Sequence, residues 1–139
     1  MREHMGLFRG KGVSGHHLDE WVYGYYCKDF WKPRKGHGII PINEDDGGYV
    51  EVDPETVGEC TGMKDKNGKR IFEGDIVQFY GTYALEVFIE HGHTMIRWFD
   101  TVTNTKCTEL FFAYDEGFDE VCEIIGNIHD NPELLEVNK

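Results

Sequence analysis

Short apolar runs, interrupted at close intervals by Gly, Asn, Asp and Pro, set the rhythm of this chain. Trp21-Val22-Tyr23-Gly24-Tyr25-Tyr26-Cys27 alternates well enough to predict a first strand. Gly38 to Ile42 predicts a short strand whose Pro41 suits a sheet edge, because proline cannot donate to a ladder. Asn43 to Gly48 is a polar loop, after which Tyr49-Val50-Glu51-Val52 restores the period of two. Leu85 to Ile89 and Thr94 to Phe99 flank His91-Gly92-His93 and predict a hairpin. Lys106 to Tyr114 predicts a further strand, and Val121 to Ile128, ambiguous between strand and helix, is assigned as a strand. Asn131-Pro132-Glu133-Leu134-Leu135 has a capping residue, Pro at the first helical position and an acid in the first turn, so a short C-terminal helix is expected. Many short strands with regular turns predict a mainly β fold, a barrel or a sandwich.

The stretch TGMKDKNGKRIFEGDIVQF, residues 61–79, concentrates this turn chemistry. Asn67-Gly68 is the strongest hairpin signal, since both central positions of a type I′ turn need positive φ. Lys64, Asp65, Lys66 and Lys69 are expected to keep that loop in water. Glu73-Gly74-Asp75 supplies a second tight turn before the strand Ile76 to Tyr80.

Composition narrows the class. The 139 residues fit one domain, and 40% apolar with 14% aromatic content is enough for a packed interior. No apolar run reaches the ~18 residues of a membrane helix, and the opening MREHMGLFRGKG lacks the apolar segment of a secretory signal. Cys27, Cys60, Cys107 and Cys122 lie far apart with no Cys-x-x-Cys pair, which predicts reduced core thiols in a cytoplasm. The net charge of −12 is uneven: residues 1–36 hold seven bases and four acids, residues 108–139 nine acids and Lys139 alone. That overall sign repels phosphate backbones and favours partners with basic surfaces.

The central motif, Thr61, Gly62, Lys64, Asp65, Asn67, Gly68, Lys69, Ile71, Glu73, Gly74, Asp75, Ile76 and Val77, resembles that of the YopX family, proteins of bacterial phages and prophages. The C-terminal Ile125-Gly126-Asn127-Ile128 with Asn131-Pro132-Glu133-Leu134-Leu135 is similar to the family's second signature. Phe8 to Lys11, Glu20 to Tyr25 and Val52 to Gly58 extend the likeness over most of the chain. Cys60 stands where an aromatic is usual, and Met63 where Leu is. The resemblance implies an SH3-type barrel or roll over residues 57–139, with extra N-terminal strands over 1–56 in one domain. It implies structural roles for Gly62, Asp65, Asn67, Gly68, Glu73, Gly74, Asp75, Gly126, Asn127, Asn131 and Pro132. It carries over no activity, no catalytic residue and no cofactor.

Other candidate chemistry is thin. His91 and His93, with His16, His17 or His37, lack any strong metal-ligand spacing, and a solvated hairpin tip accounts for them. Asp65-Lys66-Asn67-Gly68 begins like a calcium loop, but residue 74, where an EF-hand needs Glu, is Gly. Glu44-Asp45-Asp46 reads as a solvated acidic loop. Ser14, the only serine, misses the Gly-x-Ser-x-Gly elbow because residue 16 is His, and nothing marks Cys27 as a lowered-pKa nucleophile. The one basic–aromatic stretch is 28–35, where Lys28, Phe30, Trp31, Lys32, Arg34 and Lys35 could pair phosphates and stack bases. Asp115 to Glu120 is an acidic cluster suited to a basic partner. These features favour a non-enzymatic protein–protein interaction module of the bacterial cytoplasm, self-associating and contacting a host or phage protein. Nucleic-acid binding through 28–35 is the alternative.

Overall fold

Leu7-Phe8-Arg9-Gly10-Lys11, a stretch with no clean alternation, forms the first strand, β1 (Leu7–Lys11). The computed structural model describes residues 6–28, 37–42, 48–79, 84–100, 102–110 and 121–135. Two compact units divide the chain, Met1–Cys60 and Thr61–Lys139.

In the first unit β1 pairs antiparallel with β2 (Trp21–Lys28), from Leu7↔Tyr25 to Lys11↔Trp21. β2 pairs in turn with β3 (His37–Pro41), which pairs with the two-residue β4 (Val50–Glu51). On the other side of β1 lies the start of β5 (Gly58–Lys64), through Phe8↔Glu59 and Arg9↔Gly58. Val22, Ile39, Val50 and Val52 form the core of this unit, with Phe8 and Val57 packed on it. Asp53 caps the 3-10 turn Pro54–Thr56 by accepting from Glu55 N–H at 3.0 Å. The Thr56 hydroxyl then accepts from Lys11 N–H at 2.8 Å and donates to the Asp53 carbonyl at 2.6 Å. This part of the family-like sequence clamps the end of β1.

β3 is not an edge strand, contrary to the expectation from Pro41. Ile42 N–H donates to the Tyr23 carbonyl at 3.2 Å, so the nitrogen of its neighbour Pro41 points away from β2. On that side β4 pairs only with Gly38 and Ile39, and Pro41 lies beyond it with no donor demanded of it.

In the second unit the end of β5 neighbours β6 (Arg70–Phe72). An antiparallel sheet follows in the order β10-β9-β8-β7-β11, built from β7 (Asp75–Phe79), β8 (Leu85–Glu90), β9 (His93–Asp100), β10 (Thr105–Leu110) and β11 (Cys122–Asn127). Of the stretch Val121–Ile128, Cys122–Asn127 forms a strand, and its alternation is disturbed by a register shift between Ile124 and Gly126. Ile71, Val77, Leu85, Val87, Ile96 and Cys122 make the core, with Met63, Phe79, Trp98 and Ile124 against it. The C-terminal helix expected after Asn131 is only a 3-10 turn, Pro132–Leu135. Asn131 does not spend its side chain on that turn: Oδ1 reaches back to accept from Asn127 N–H at 3.2 Å.

Both hairpins occur, but the type I′ turn expected at Asn67-Gly68 is not the one formed there. Between β5 and β6 only Gly68 has positive φ (78°), while Gly68 N–H donates to the Asp65 carbonyl at 3.0 Å and Asp65 N–H to Lys69 at 2.9 Å. That is a type I turn closed by a left-handed glycine, not type I′. The type I′ geometry sits between β8 and β9, where His91 (φ 51°) and Gly92 (φ 78°) are both left-handed and Glu90 faces His93. Asp65 itself is not in water but buried, 2% exposed. Its Oδ1 accepts from Asn67 and Lys69 N–H, each at 2.9 Å, and its Oδ2 from Ile124 N–H of β11 at 3.0 Å. A carboxylate can afford such burial because backbone donors surround both oxygens.

Asp65→Ala removes a buried carboxylate that serves three backbone N–H groups and should destabilise the protein by about 3 kcal/mol. Lys66→Ala, which removes only an exposed pair to Glu123 at 3.6 Å, should stay within about 0.5 kcal/mol. Urea unfolding of the two variants checks the contrast.

Candidate interaction surface

The signature residues look most like a site. Asp75, also 2% exposed, accepts from Phe72 N–H through Oδ2 at 2.7 Å and closes the turn made by Glu73 and Gly74 (φ 95°). Gly74 N–H donates to Val87 at 2.8 Å and its carbonyl accepts from Ile128 at 2.9 Å. Gly62 is left-handed (φ 85°) beside Thr61, whose hydroxyl donates to the Ile71 carbonyl at 2.7 Å. Asn127 Oδ1 accepts from His129 and Asp130 N–H at 3.0 and 2.9 Å. A methyl on Gly126 would stand 2.6 Å from Asn131 Oδ1 and 2.9 Å from the Leu134 side chain, so glycine lets the Asn131–Leu134 turn lie against β11. Pro132 opens that turn. Asp65, Asp75, Asn127 and Asn131 thus hold backbone N–H groups, and Gly62, Gly68 and Gly74 take left-handed φ.

The histidines do not converge. His91 and His93 occupy an exposed hairpin tip, with His91 3.7 Å from Glu90. His17 is 3.3 Å from Glu20, His16 packs edge-on to it, and His37 accepts or donates through Nδ1 with the stacked Tyr26 hydroxyl. Among the described residues no three His, Cys, Asp or Glu side chains gather where they could hold a metal ion. Ser14 is exposed before a 3-10 turn and caps nothing with its side chain. Of the basic–aromatic stretch, Lys28 ends β2, while Phe30, Trp31, Lys32, Arg34 and Lys35 lie outside the described residues. So do Glu44 to Asp46 and Asp115 to Glu120.

What the strand register does bring together is a face that the sequence reading did not single out. On β2, Val22 and Gly24 are buried, and the residues between them point to the opposite side. There Tyr25 faces Ile40 across the β2–β3 ladder, and Tyr23 lies beside Ile42. All four are exposed: Tyr23 41%, Tyr25 57%, Ile40 45% and Ile42 45%. Next along the same face, the Trp21 ring is flanked by the Arg9 guanidinium at 4.6 Å and the Lys11 ammonium at 5.5 Å from its centroid, a cation–π arrangement on strand β1. Glu51 of β4, directly opposite Gly38, is exposed too, and its carbonyl accepts from Val13 N–H at 3.2 Å beside the Gly12–Val52 bridge, so β4 returns to the end of β1. The sequence carries a partial signal: Trp21 to Tyr26 is apolar or aromatic at both parities, which leaves open whether the second face is covered.

The four cysteines are free thiols, and only Cys60 and Cys122 are buried. Burial first, then the nearby Asp65 and Asp75 carboxylates, push the Cys122 thiol up from an ordinary 9.0 to about 12. It is an inert core group rather than a nucleophile. At pH 8 a thiol reagent should modify the partly exposed Cys27 and Cys107 in the native protein, and Cys122 only after unfolding. The unfolded thiol ionises near 9 and the folded one near 12, so its contribution is intact below pH 9 and is lost between those values, by about 1.4 kcal/mol per pH unit. Cys122→Ala should therefore flatten the alkaline fall in stability, measured by urea unfolding from pH 8 to 11.

Gly126→Ala and Asn131→Ala should cost less together than the sum of their separate costs, because the second change removes the atom the new methyl strikes. Thermal unfolding of the two single variants and the double variant measures the coupling.

No helix among the described residues is long and apolar enough to cross a membrane. A search of the curated proteins finds no match to the chain. The family model described as YopX protein matches residues 20–136, which contain β2, the whole turn signature of the second unit and most of the exposed face. The chain belongs to the YopX family.

Proposed function

We propose that this protein is a non-enzymatic protein–protein interaction module and that its contact surface is the outer face of β2 and β3. The observation that carries the reading is the contiguous exposure of Tyr23, Tyr25, Ile40 and Ile42. Exposed apolar side chains scattered singly are ordinary, whereas two tyrosines and two isoleucines side by side on a sheet are what an interface core is made of. The polar signature residues support it from the other direction, since Asp65, Asp75, Asn127 and Asn131 spend their side chains on backbone donors. We read the β10-β9-β8-β7-β11 sheet as an SH3-type roll that supports this module. A phage or prophage protein with these features would act in the host cytoplasm on host or phage proteins, without a cofactor.

A second reading, a nucleic-acid-binding module, draws on the Lys11 ammonium over the Trp21 ring and on Lys28, where β2 runs into the basic–aromatic stretch 28–35. The overall charge of −12 weighs against it.

Affinity purification of the tagged protein from its bacterial host, with and without nuclease and 1 M salt, separates the two. A defined protein should survive both treatments and be lost from the variant carrying Tyr25→Lys and Ile40→Glu, a directly opposed pair of unlike charges whose melting transition shows it folded. Nucleic acid that leaves with salt and is lost on Lys32→Glu with Arg34→Glu would replace this reading with the second.

A further inference from the structure

Asn67-Gly68 is the one Asn-Gly pair in the chain, and both residues are exposed at the tip of the β5–β6 hairpin. Beyond turning the chain, such a pair carries a covalent chemistry that needs no enzyme. Asparagine amides are thermally labile, and glycine, having no Cβ, leaves its backbone nitrogen open to the side chain before it. The Gly68 nitrogen attacks Asn67 Cγ: the N–Cγ bond forms, the Cγ–Nδ2 bond breaks, and Nδ2 leaves as ammonia with the proton that Gly68 gives up. Water then opens the cyclic imide at either carbonyl, leaving aspartate or isoaspartate at position 67.

We propose that Asn67 is a site of this spontaneous modification and that the Asp65 turn keeps it closed while the protein is folded, so that isoaspartate at 67 marks chains that have been unfolded. Three restraints hold the nitrogen from the side chain. Gly68 N–H donates to the Asp65 carbonyl at 3.0 Å, which retains the proton that the attack must release. In the type I turn closed by that bond, Asn67 holds ψ at about 0°, and the five-membered imide needs the Asn67–Gly68 peptide rotated by about a third of a revolution. That rotation is resisted from both ends, because the N–H groups of Asn67 and Lys69 are held by one oxygen, Asp65 Oδ1, each at 2.9 Å. The other oxygen of Asp65 is tied to Ile124 N–H of β11 at 3.0 Å, so the guard belongs to the fold and vanishes with it. The product fits the turn poorly. Isoaspartate puts an extra backbone atom between the two N–H groups that share Oδ1, and it adds a negative charge close to a buried carboxylate. The modification therefore follows unfolding and opposes refolding.

Incubation of the full chain at pH 8, native and in guanidinium chloride, followed by mass spectrometry of the peptide containing residues 67 and 68, tests it. The unfolded chain should convert at position 67, and the native chain should do so about tenfold more slowly or less, since conversion must wait for the turn to open. Asn67→Gln should remove the signal from the unfolded chain. Folded Asp65→Ala, verified by its melting transition, should convert at close to the unfolded rate. Folded Val87→Ala, which weakens the same core and leaves Asp65 in place, should stay near the native rate. Should Asp65→Ala fail to fold, hydrogen exchange of the unaltered protein carries the test: the N–H groups of Gly68 and Lys69 should exchange about tenfold more slowly than unprotected amides, or slower still. Native conversion as fast as in guanidinium chloride overturns the proposal. So does a folded Asp65→Ala variant that converts no faster than Val87→Ala, or a Gly68 N–H that exchanges like an unprotected amide.

Discussion

The carboxylate of Asp65 is the interaction on which the second unit depends most. It lies inside the fold, where an unpaired charge would be costly, and it is kept there by backbone donors from three places: Asn67 and Lys69 in its own turn and Ile124 in β11. Lys66 N–H adds a bond to the Cys122 carbonyl at 2.8 Å, so the tip of the β5–β6 hairpin is sewn to a strand almost sixty residues away by sequence separation (|i−j| = 59 for Asp65–Ile124). One side chain therefore sets a local turn and a distant pairing at once. The same neighbourhood explains the Cys122 thiol, whose ionisation is opposed by burial and by the two carboxylates nearby.

A consequence for function is that the most distinctive residues of the chain are occupied. The turn signature of this YopX family member looks rich in chemistry, with aspartates, asparagines and glycines in close order, yet each position closes a turn, caps a strand end or admits a neighbouring segment. The exposed apolar face is made instead of tyrosine and isoleucine, residue types that are unremarkable in a strand until the register shows that they lie side by side and open to solvent. The turns and the exposed tyrosine–isoleucine face thus reside in different residues, so that face can be altered without touching the turns.

Much of the architecture was legible in the sequence. Strands at Trp21–Lys28, Leu85–Glu90, His93–Asp100 and Cys122–Asn127 follow the alternation that predicted them, since half-buried strands sort side chains by parity. β1 was not legible, because Arg9 and Lys11 break its alternation while their apolar partner is the Trp21 ring on another strand. The two hairpin turns were legible as turns but not as types. Asn67-Gly68 is the stronger type I′ pair by composition, but the Asp65 carboxylate draws the Asn67 and Lys69 N–H groups into a type I turn, and His91 takes the left-handed geometry in its place.

By itself the sequence determined the positions of turns and strands and the mainly β class, because a residue's allowed φ and its side-chain parity are local properties. Tertiary structure alone decided that Asp65 is buried, that β3 is interior despite Pro41, and that Tyr23, Tyr25, Ile40 and Ile42 share one open face. Each of those outcomes depends on which strands become neighbours. Neighbours are chosen by contacts between residues far apart in the chain, and a single alternating pattern cannot say which of its two apolar faces will be covered.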